Sequence, residues 1–133
     1  MRYTIYGGGE KPVMRIVIVE DSLTVQGILA EELGRIQGVQ LCGTAATVQD
    51  ALRLILEVAP DLVILDIVLK NGNGFEVLKK IRSKGSKSMV IVLTNHPYPH
   101  YRLISKVLGA DLFFDKTIEF EKAIEAVRSI AYH

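Results

Sequence analysis

Six polar residues stand directly after runs of apolar side chains. Glu20 and Asp21 follow Arg15-Ile16-Val17-Ile18-Val19, and Asp66 follows Leu62-Val63-Ile64-Leu65. Thr94 follows the apolar segment 89–93, and Asp115 and Lys116 follow Leu112-Phe113-Phe114. If the runs are neighbouring strands of one open parallel sheet, their carboxyl ends form its ligand-binding edge. Glu20, Asp21, Asp66, Thr94 and Lys116 would then meet there. Carboxylates at such range repel by up to about 4 kcal/mol per pair at an effective dielectric near 20. They either raise one another's pKa or bind a cation. An all-oxygen donor set with few protein ligands suits Mg²⁺, which keeps several waters and takes phosphate oxygens readily. A carboxylate beside Mg²⁺, with a lysine and a threonine to hold transferred oxygens, suits phosphoryl transfer to the carboxylate itself.

The elements that must position these groups alternate along the chain. The β-branched run 15–19 reads as a strand buried on both faces. Val25, Ile28, Leu29, Leu33 and Ile36 then fall on one helical face, with Gly38 just beyond. Residues 39–44 form a second strand. Thr47-Val48-Gln49-Asp50 resembles a capping box for a helix that turns Ala51, Leu54, Ile55 and Val58 inward and stops at Pro60. The third strand ends at Asp66. A two-glycine loop, Lys70-Asn71-Gly72-Asn73-Gly74, leads to a helix with Val77, Leu78 and Ile81 inward. A fourth strand at 89–93 precedes a helix around 101–108 that Gly109 closes. The short fifth strand, 112–114, precedes a last helix with Phe120, Ala123, Ile124, Val127 and Ile130 on one face. Five strands alternating with five helices predict right-handed βαβ units and a doubly wound parallel sheet of α/β class.

Length and composition narrow the functions open to such a fold. At 133 residues the chain fits one domain, expected over residues 14–133, after a turn-rich leader at 1–13 that is expected to be flexible and dispensable. The glycines at 7–9 have no preceding buried strand and no Gly-Lys-Ser/Thr ending, so they are not read as a phosphate loop. A net charge of +1 shows no broad pull toward nucleic acid or an anionic membrane. No apolar run is long enough to span a bilayer, and no signal-peptide core is present. The lone Cys42 suits a reducing cytosol and reads as a buried structural thiol. A cytoplasmic location is expected.

Four segments, in this order and spacing, resemble the receiver domains of bacterial two-component response regulators. They are Ile18-Val19-Glu20-Asp21-Ser22, Pro60-Asp61-Leu62-Val63-Ile64-Leu65-Asp66, Val92-Leu93-Thr94 and Gly109-Ala110-Asp111-Leu112-Phe113-Phe114-Asp115-Lys116. The resemblance runs from Met14 to the end of the chain. It implies a flavodoxin-like (βα)5 fold with strand order 2-1-3-4-5. It implies Asp66 as phosphoacceptor, and Mg²⁺ held by Glu20, Asp21, Asp66 and the backbone carbonyl of Val68. Thr94 would hydrogen-bond the phosphoryl group, Lys116 would pair with its charge, and Phe113 would occupy an aromatic switch position. The expected donor is a sensor histidine kinase or phosphotransfer protein. The fourth helix, fifth strand and last helix would form the surface read by a downstream protein, and the same surface could serve a homodimer. Catalysis beyond the domain's own phosphorylation and dephosphorylation is not expected. No DNA-binding segment follows the last helix, so direct nucleic-acid binding is not expected of these residues.

Several positions depart from the family pattern. Thr117 follows Lys116 where proline is usual, so a trans bond is expected there, and Thr117 is expected to cap the last helix. Lys70 replaces a common proline, and Asn95 replaces a small residue beside Thr94. Val68, two residues after Asp66, has no group to orient an attacking water, which implies slow self-dephosphorylation. Other features carry plainer readings. His96 and His100 are separated by Pro97 and Pro99 and lack a third ligand, so no metal site is assigned to them. The basic stretch Lys79, Lys80, Arg82, Lys84 and Lys87 reads as a solvated face. Tyr98, Tyr101 and Leu103 read either as packing residues or as an exposed interaction patch. Two other classes stand beside the receiver: a pseudo-receiver acting as a phosphorylation-independent interaction module, and a flavodoxin-like mononucleotide binder. The second needs a phosphate-binding nest where Glu20-Asp21-Ser22 places negative charge.

Overall fold

A computed structural model describes residues 2–6 and 9–132, with side chains from Val13 to Tyr132. In chain order its strands are β1 (Arg2–Tyr6), β2 (Gly9–Val19), β3 (Val39–Ala45), β4 (Leu62–Leu65), β5 (Val68–Leu69), β6 (Gly72–Asn73), β7 (Met89–Thr94) and β8 (Leu112–Asp115). Its helices are α1 (Leu23–Gly34), α2 (Val48–Val58), α3 (Gly74–Ser83), α4 (Pro99–Val107) and α5 (Phe120–Ala131). The five parallel strands lie in the order β3-β2-β4-β7-β8, which is the expected 2-1-3-4-5 flavodoxin-like arrangement. The register sets Val17 beside Val63, Val63 beside Val90, and Val92 beside Phe113. Because side chains alternate across a sheet, the strands divide their residues between two cores. Val17, Val19, Val63, Leu65, Val90 and Val92 meet Ala51, Ile55, Val77, Leu78 and Ile81 of α2 and α3. Ile16, Ile18, Leu62, Ile64, Ile91 and Leu93 meet Leu29 and Leu33 of α1 and Ala123, Ile124 and Val127 of α5.

Three helices begin on side-chain caps, one of them the expected Thr47. Ser22 Oγ accepts the Val25 N–H at 3.2 Å, Thr47 Oγ1 that of Asp50 at 3.1 Å, and Asn73 Oδ1 that of Glu76 at 3.1 Å. The last helix does not use the expected cap. Thr117 Oγ1 instead donates to Asn95 Oδ1 at 3.2 Å, and α5 starts after Glu119 without a side-chain cap. The Lys116–Thr117 bond is trans, as are the other peptide bonds among the described residues.

The structure adds to or departs from the expectations at further positions. Residues 2–6 and 9–13, within the expected leader, pair as antiparallel strands, with Arg2 opposite Val13 and Tyr6 opposite Gly9. Tyr, Thr and Ile favour strands, and Gly-Gly between two such runs is a hairpin signal that the turn-rich reading passed over. Gly7 and Gly8 themselves lie outside the described residues. The strand that carries residues 15–19 extends back through Val13 and Met14, both buried. Ile28, assigned to the inner face of α1, is 47% exposed. That helix is apolar on most sides, so periodicity alone could not rank its faces. Cys42 is only half-buried, on edge strand β3, rather than sealed in the core.

Candidate functional site

Each predicted acid sits where its strand ends. Asp66 follows β4, and its N–H donates to the Val19 carbonyl at 2.9 Å, tying it to the end of β2. Glu20 follows β2, and its N–H donates to Ala45 O of β3 at 2.8 Å. The Lys116 N–H donates to Thr94 O at 2.8 Å, so β8 delivers its lysine from the end of β7. These backbone bonds continue the sheet one residue past its strands and fix where the polar side chains start.

Lys116 joins the site together. Its Nζ donates to Glu20 Oε1 at 2.5 Å and to Asp66 Oδ2 at 2.8 Å, and its side chain is 9% exposed. Oxygens of Glu20, Asp21 and Asp66 all lie within 4.8 Å of one another. The second Glu20 oxygen accepts the Ser22 N–H at 2.9 Å, and Asp66 Oδ1 accepts the Val68 N–H at 3.3 Å. With the three acids ionised and Lys116 protonated, the cluster carries a charge of −2. Glu20 and Asp66 are buried, whereas Asp21 stands at the half-exposed mouth. The donor set is all oxygen and its charge is under-neutralised, so the residues fit a hard divalent cation.

Burial and ion pairing pull in opposite directions here. Desolvation is the largest influence on Glu20 and raises its pKa above the usual glutamate range, although hydrogen bonds from Lys116 and the Ser22 N–H oppose it. For Lys116, burial alone would lower the pKa, but hydrogen bonds to Asp66 and Glu20 outweigh it and hold the ammonium above the ordinary lysine range. A carboxyl whose pKa is raised by folding adds stability that is fully present below its unfolded pKa, about 4.3. That contribution is lost as pH rises through the raised value. Ionising Glu20 therefore costs the metal-free fold stability. Glu20→Gln is expected to raise the urea midpoint of the metal-free protein at pH 7 and to weaken Mg²⁺ binding about tenfold or more. Unchanged or lower metal-free stability in E20Q would contradict this account of the charge balance.

Gly74, the first residue of α3, is a site residue that sequence reading placed only in a loop. A Cβ there would lie 2.3 Å from the backbone oxygen of Asp66, and the Gly74 N–H donates to Ile67 O at 2.6 Å. The start of α3 is thus packed directly onto the turn that carries Asp66. The short hairpin β5–β6, also unforeseen, bridges Asp66 to that helix.

Thr94 and Phe113 lie further from the acids. Thr94 is fully buried, and its Oγ1 accepts the His96 N–H at 3.1 Å. Among the described residues no hydrogen bond joins it to Asp66. Phe113 is half-buried on the side of the sheet covered by α2 and α3, one strand residue before Phe114. Val68 places its N–H on Asp66 and exposes its side chain. Asp115 is not part of the acid cluster and caps its own turn, accepting the Thr117 N–H at 2.8 Å.

The loop after Thr94 holds an aromatic group that the sequence did not reveal as one. Tyr98 stacks on His100, with centroids 5.7 Å apart and planes at 12°, and packs edge-on against Tyr101. Tyr101 in turn meets Phe75 of α3 edge-to-face at 5.4 Å. His96 and His100 contribute ring faces here, and neither belongs to a metal-ligand cluster among the described residues. The alternation His-Pro-Tyr-Pro-His-Tyr was the available signal.

This edge is the acidic pocket of a response regulator receiver domain, and the chain belongs to that family: residues 16–128 match the family's model. It is 34% identical over 111 residues to a protein-glutamate methylesterase/protein-glutamine glutaminase of Gluconobacter oxydans, covering 82% of this chain and 31% of that protein. It is also 34% identical over 112 residues to the transcriptional regulatory protein MalR of Bacillus subtilis, covering 83% of this chain and 47% of the relative. The chain thus spans less than half the length of either relative. Its fold is similar to that of a LuxR-family DNA-binding response regulator from Staphylococcus aureus, with a TM-score of 0.82 and 26% identity over 90% of this chain and 99% of the other. No described helix is long and apolar enough to cross a membrane.

Proposed function

We propose that the chain accepts a phosphoryl group on Asp66 from a sensor histidine kinase or phosphotransfer protein, with Mg²⁺ as cofactor, and that phosphorylation changes the α4–β8–α5 surface. The observation that carries this reading is the bridge from Lys116 to both Glu20 and Asp66, with Asp21 within reach. One cation and two further acids gather around the Asp66 carboxylate, just inside the half-exposed Asp21. In the transfer, an Asp66 carboxylate oxygen attacks the phosphorus of a phosphohistidine. The new P–O bond forms as the P–N bond breaks, and the departing imidazole takes up a proton. Glu20, Asp21, Asp66 and the Val68 carbonyl would hold Mg²⁺, which supplies charge neutralisation for the incoming phosphoryl oxygens. Lys116 exchanges its contact with the carboxylate for one with the phosphoryl group. Thr94 turns its hydroxyl from the His96 N–H toward the same group, and Phe113 responds to the space that opens.

Two surfaces suit the proteins on either side of this reaction. Next to Asp66, the outer face of α1 presents Leu23, 79% exposed, and Gly27, around which a Cβ would meet no atom within 4 Å. That face admits close approach by a donor helix. On the far side, Leu103, Val107 and Leu112 of α4 and β8 and Ile118 before α5 are exposed. They form an apolar area for a downstream protein or a second copy of the chain.

Incubation with Mg²⁺ and acetyl phosphate should add one phosphoryl group to the native chain, and Asp66→Asn should abolish the gain. Equal labelling of D66N, or none on the native protein, would leave the phosphorylation-independent interaction module as the better reading. The same sample, followed after acetyl phosphate is removed, reads the phosphoryl lifetime. Decay within seconds at neutral pH would refute the slow self-dephosphorylation expected from Val68.

A further inference from the structure

Arg102 of α4 grips Phe113 of β8 in two ways. Its guanidinium carbon lies 4.4 Å from the centroid of the Phe113 ring. Its Nη1 also donates to the Phe113 carbonyl at 3.2 Å. No carboxylate forms an ion pair with Arg102 among the described residues; Asp111, which lines the neighbouring cavity, pairs with Arg82 at 3.6 Å. The ring is therefore held between the sheet-side core and a cation on its outer face. Beside it, a cavity of about 380 Å³ is lined by Arg102, Ser105, Lys106, Leu112 and Phe113, among others. Ser105 is 1% exposed, and its hydroxyl oxygen is buried without a hydrogen-bond partner. A buried hydroxyl with no partner disfavours the arrangement that encloses it. One contact thus holds the ring in place while its neighbour opposes that packing, and the cavity leaves room for movement. Two packings close in energy are what a switching element requires.

We infer that Arg102 is a positioning residue that holds Phe113 in its present rotamer through the ring face and the carbonyl, and so sets how much of the unphosphorylated population is already switched. The inference rests on the reading of Phe113 as the element that responds to Asp66. Loosening Arg102 favours the other packing. By reciprocity, the site at Asp66 then binds a phosphoryl analogue more tightly by the same factor. An exposed cation–π contact supplies a factor of about two to five.

The test uses the full chain, with beryllofluoride and Mg²⁺ as the phosphoryl probe and ring resonances of Phe113 assigned through Phe113→Leu. Arg102→Gln, which keeps a side-chain donor but loses the cation, should tighten beryllofluoride binding about two- to five-fold and shift the Phe113 resonances of the free protein. Arg102→Lys, which keeps the cation, should remain near the native values. In a Phe113→Leu background, Arg102→Gln should have no effect on affinity. An unchanged affinity with unmoved ring resonances, or an equal gain in the Phe113→Leu background, overturns the inference. If the native protein takes up no beryllofluoride, the reading of Asp66 fails. The ring resonances of R102Q then decide the role of Arg102: a shift supports it and no shift overturns it.

Discussion

Lys116→Met is expected to lower the stability of the metal-free protein by about 3–5 kcal/mol at neutral pH, because it strands buried Glu20 and Asp66 without their cation. The lysine spends most of its surface inside the fold, and it is the sole ammonium in hydrogen-bond contact with these acids among the described residues. Its pKa is raised in the fold by its two carboxylate partners. A group with a raised pKa gives stability that is fully present below its unfolded value, about 10.4 for lysine. The stability is lost as pH rises through the folded value. Native protein should therefore lose stability in alkali where K116M, with nothing left to titrate, does not. Mg²⁺ should recover much of the deficit in the variant, and its affinity there should rise about tenfold or more, since a positive charge has been removed from beside the acids. Urea midpoints from neutral to alkaline pH, with and without Mg²⁺, measure all of this. Equal midpoints for the two proteins at pH 7 would show that the bridge contributes nothing.

Gly74→Ala should be the most damaging change outside the charged residues. The added methyl would meet a backbone oxygen at 2.3 Å, with the Asp66 carbonyl carbon and Ile67 Cα at 3.1 Å. A flexible side chain could swing away from such contact, but these atoms move only if the turn carrying Asp66 moves. Overpacking of this kind costs about 1–3 kcal/mol. Relief would come from displacing α3 or the acceptor, so phosphorylation by acetyl phosphate should fall by about tenfold or more, as a misplacement near one ångström implies. A G74A protein that keeps both native stability and native phosphorylation would show that the turn and the helix are less tightly fitted than the geometry indicates.

The contrast between these two residues shows what the sequence could and could not disclose. Glu20, Asp66, Thr94 and Lys116 were legible because each interrupts a buried apolar run, and a parallel sheet places such interruptions along one edge. The inward faces of α2, α3 and α5 were legible for the same reason, as polar residues flank each apolar stripe. Gly74 was not, because its role depends on a backbone approach that leaves no trace in composition. Ile28 misled because α1 carries apolar residues on its outer side too, as exposed Leu23 shows. The strand at 2–6 was missed because a run of glycines outweighed the tyrosines, threonine and isoleucine beside it. Thr117 was given a capping role from its position alone, whereas the partner it bonds, Asn95, lies 22 residues away. Distance along the chain hides such pairs from any local pattern.

The Lys116 bridge also has a history written in chain order. Its partners Asp66 and Glu20 precede it by 50 and 96 residues. During synthesis the acids leave the ribosome well before the cation that neutralises them. Until β8 and α5 are made, β2 and β4 can pair only by bringing unneutralised carboxylates together. Closure of so distant a contact is slow on entropic grounds, and the repulsion adds to that delay. Arrival of the C-terminal third is thus a late assembly step that ionic strength or a divalent cation should hasten.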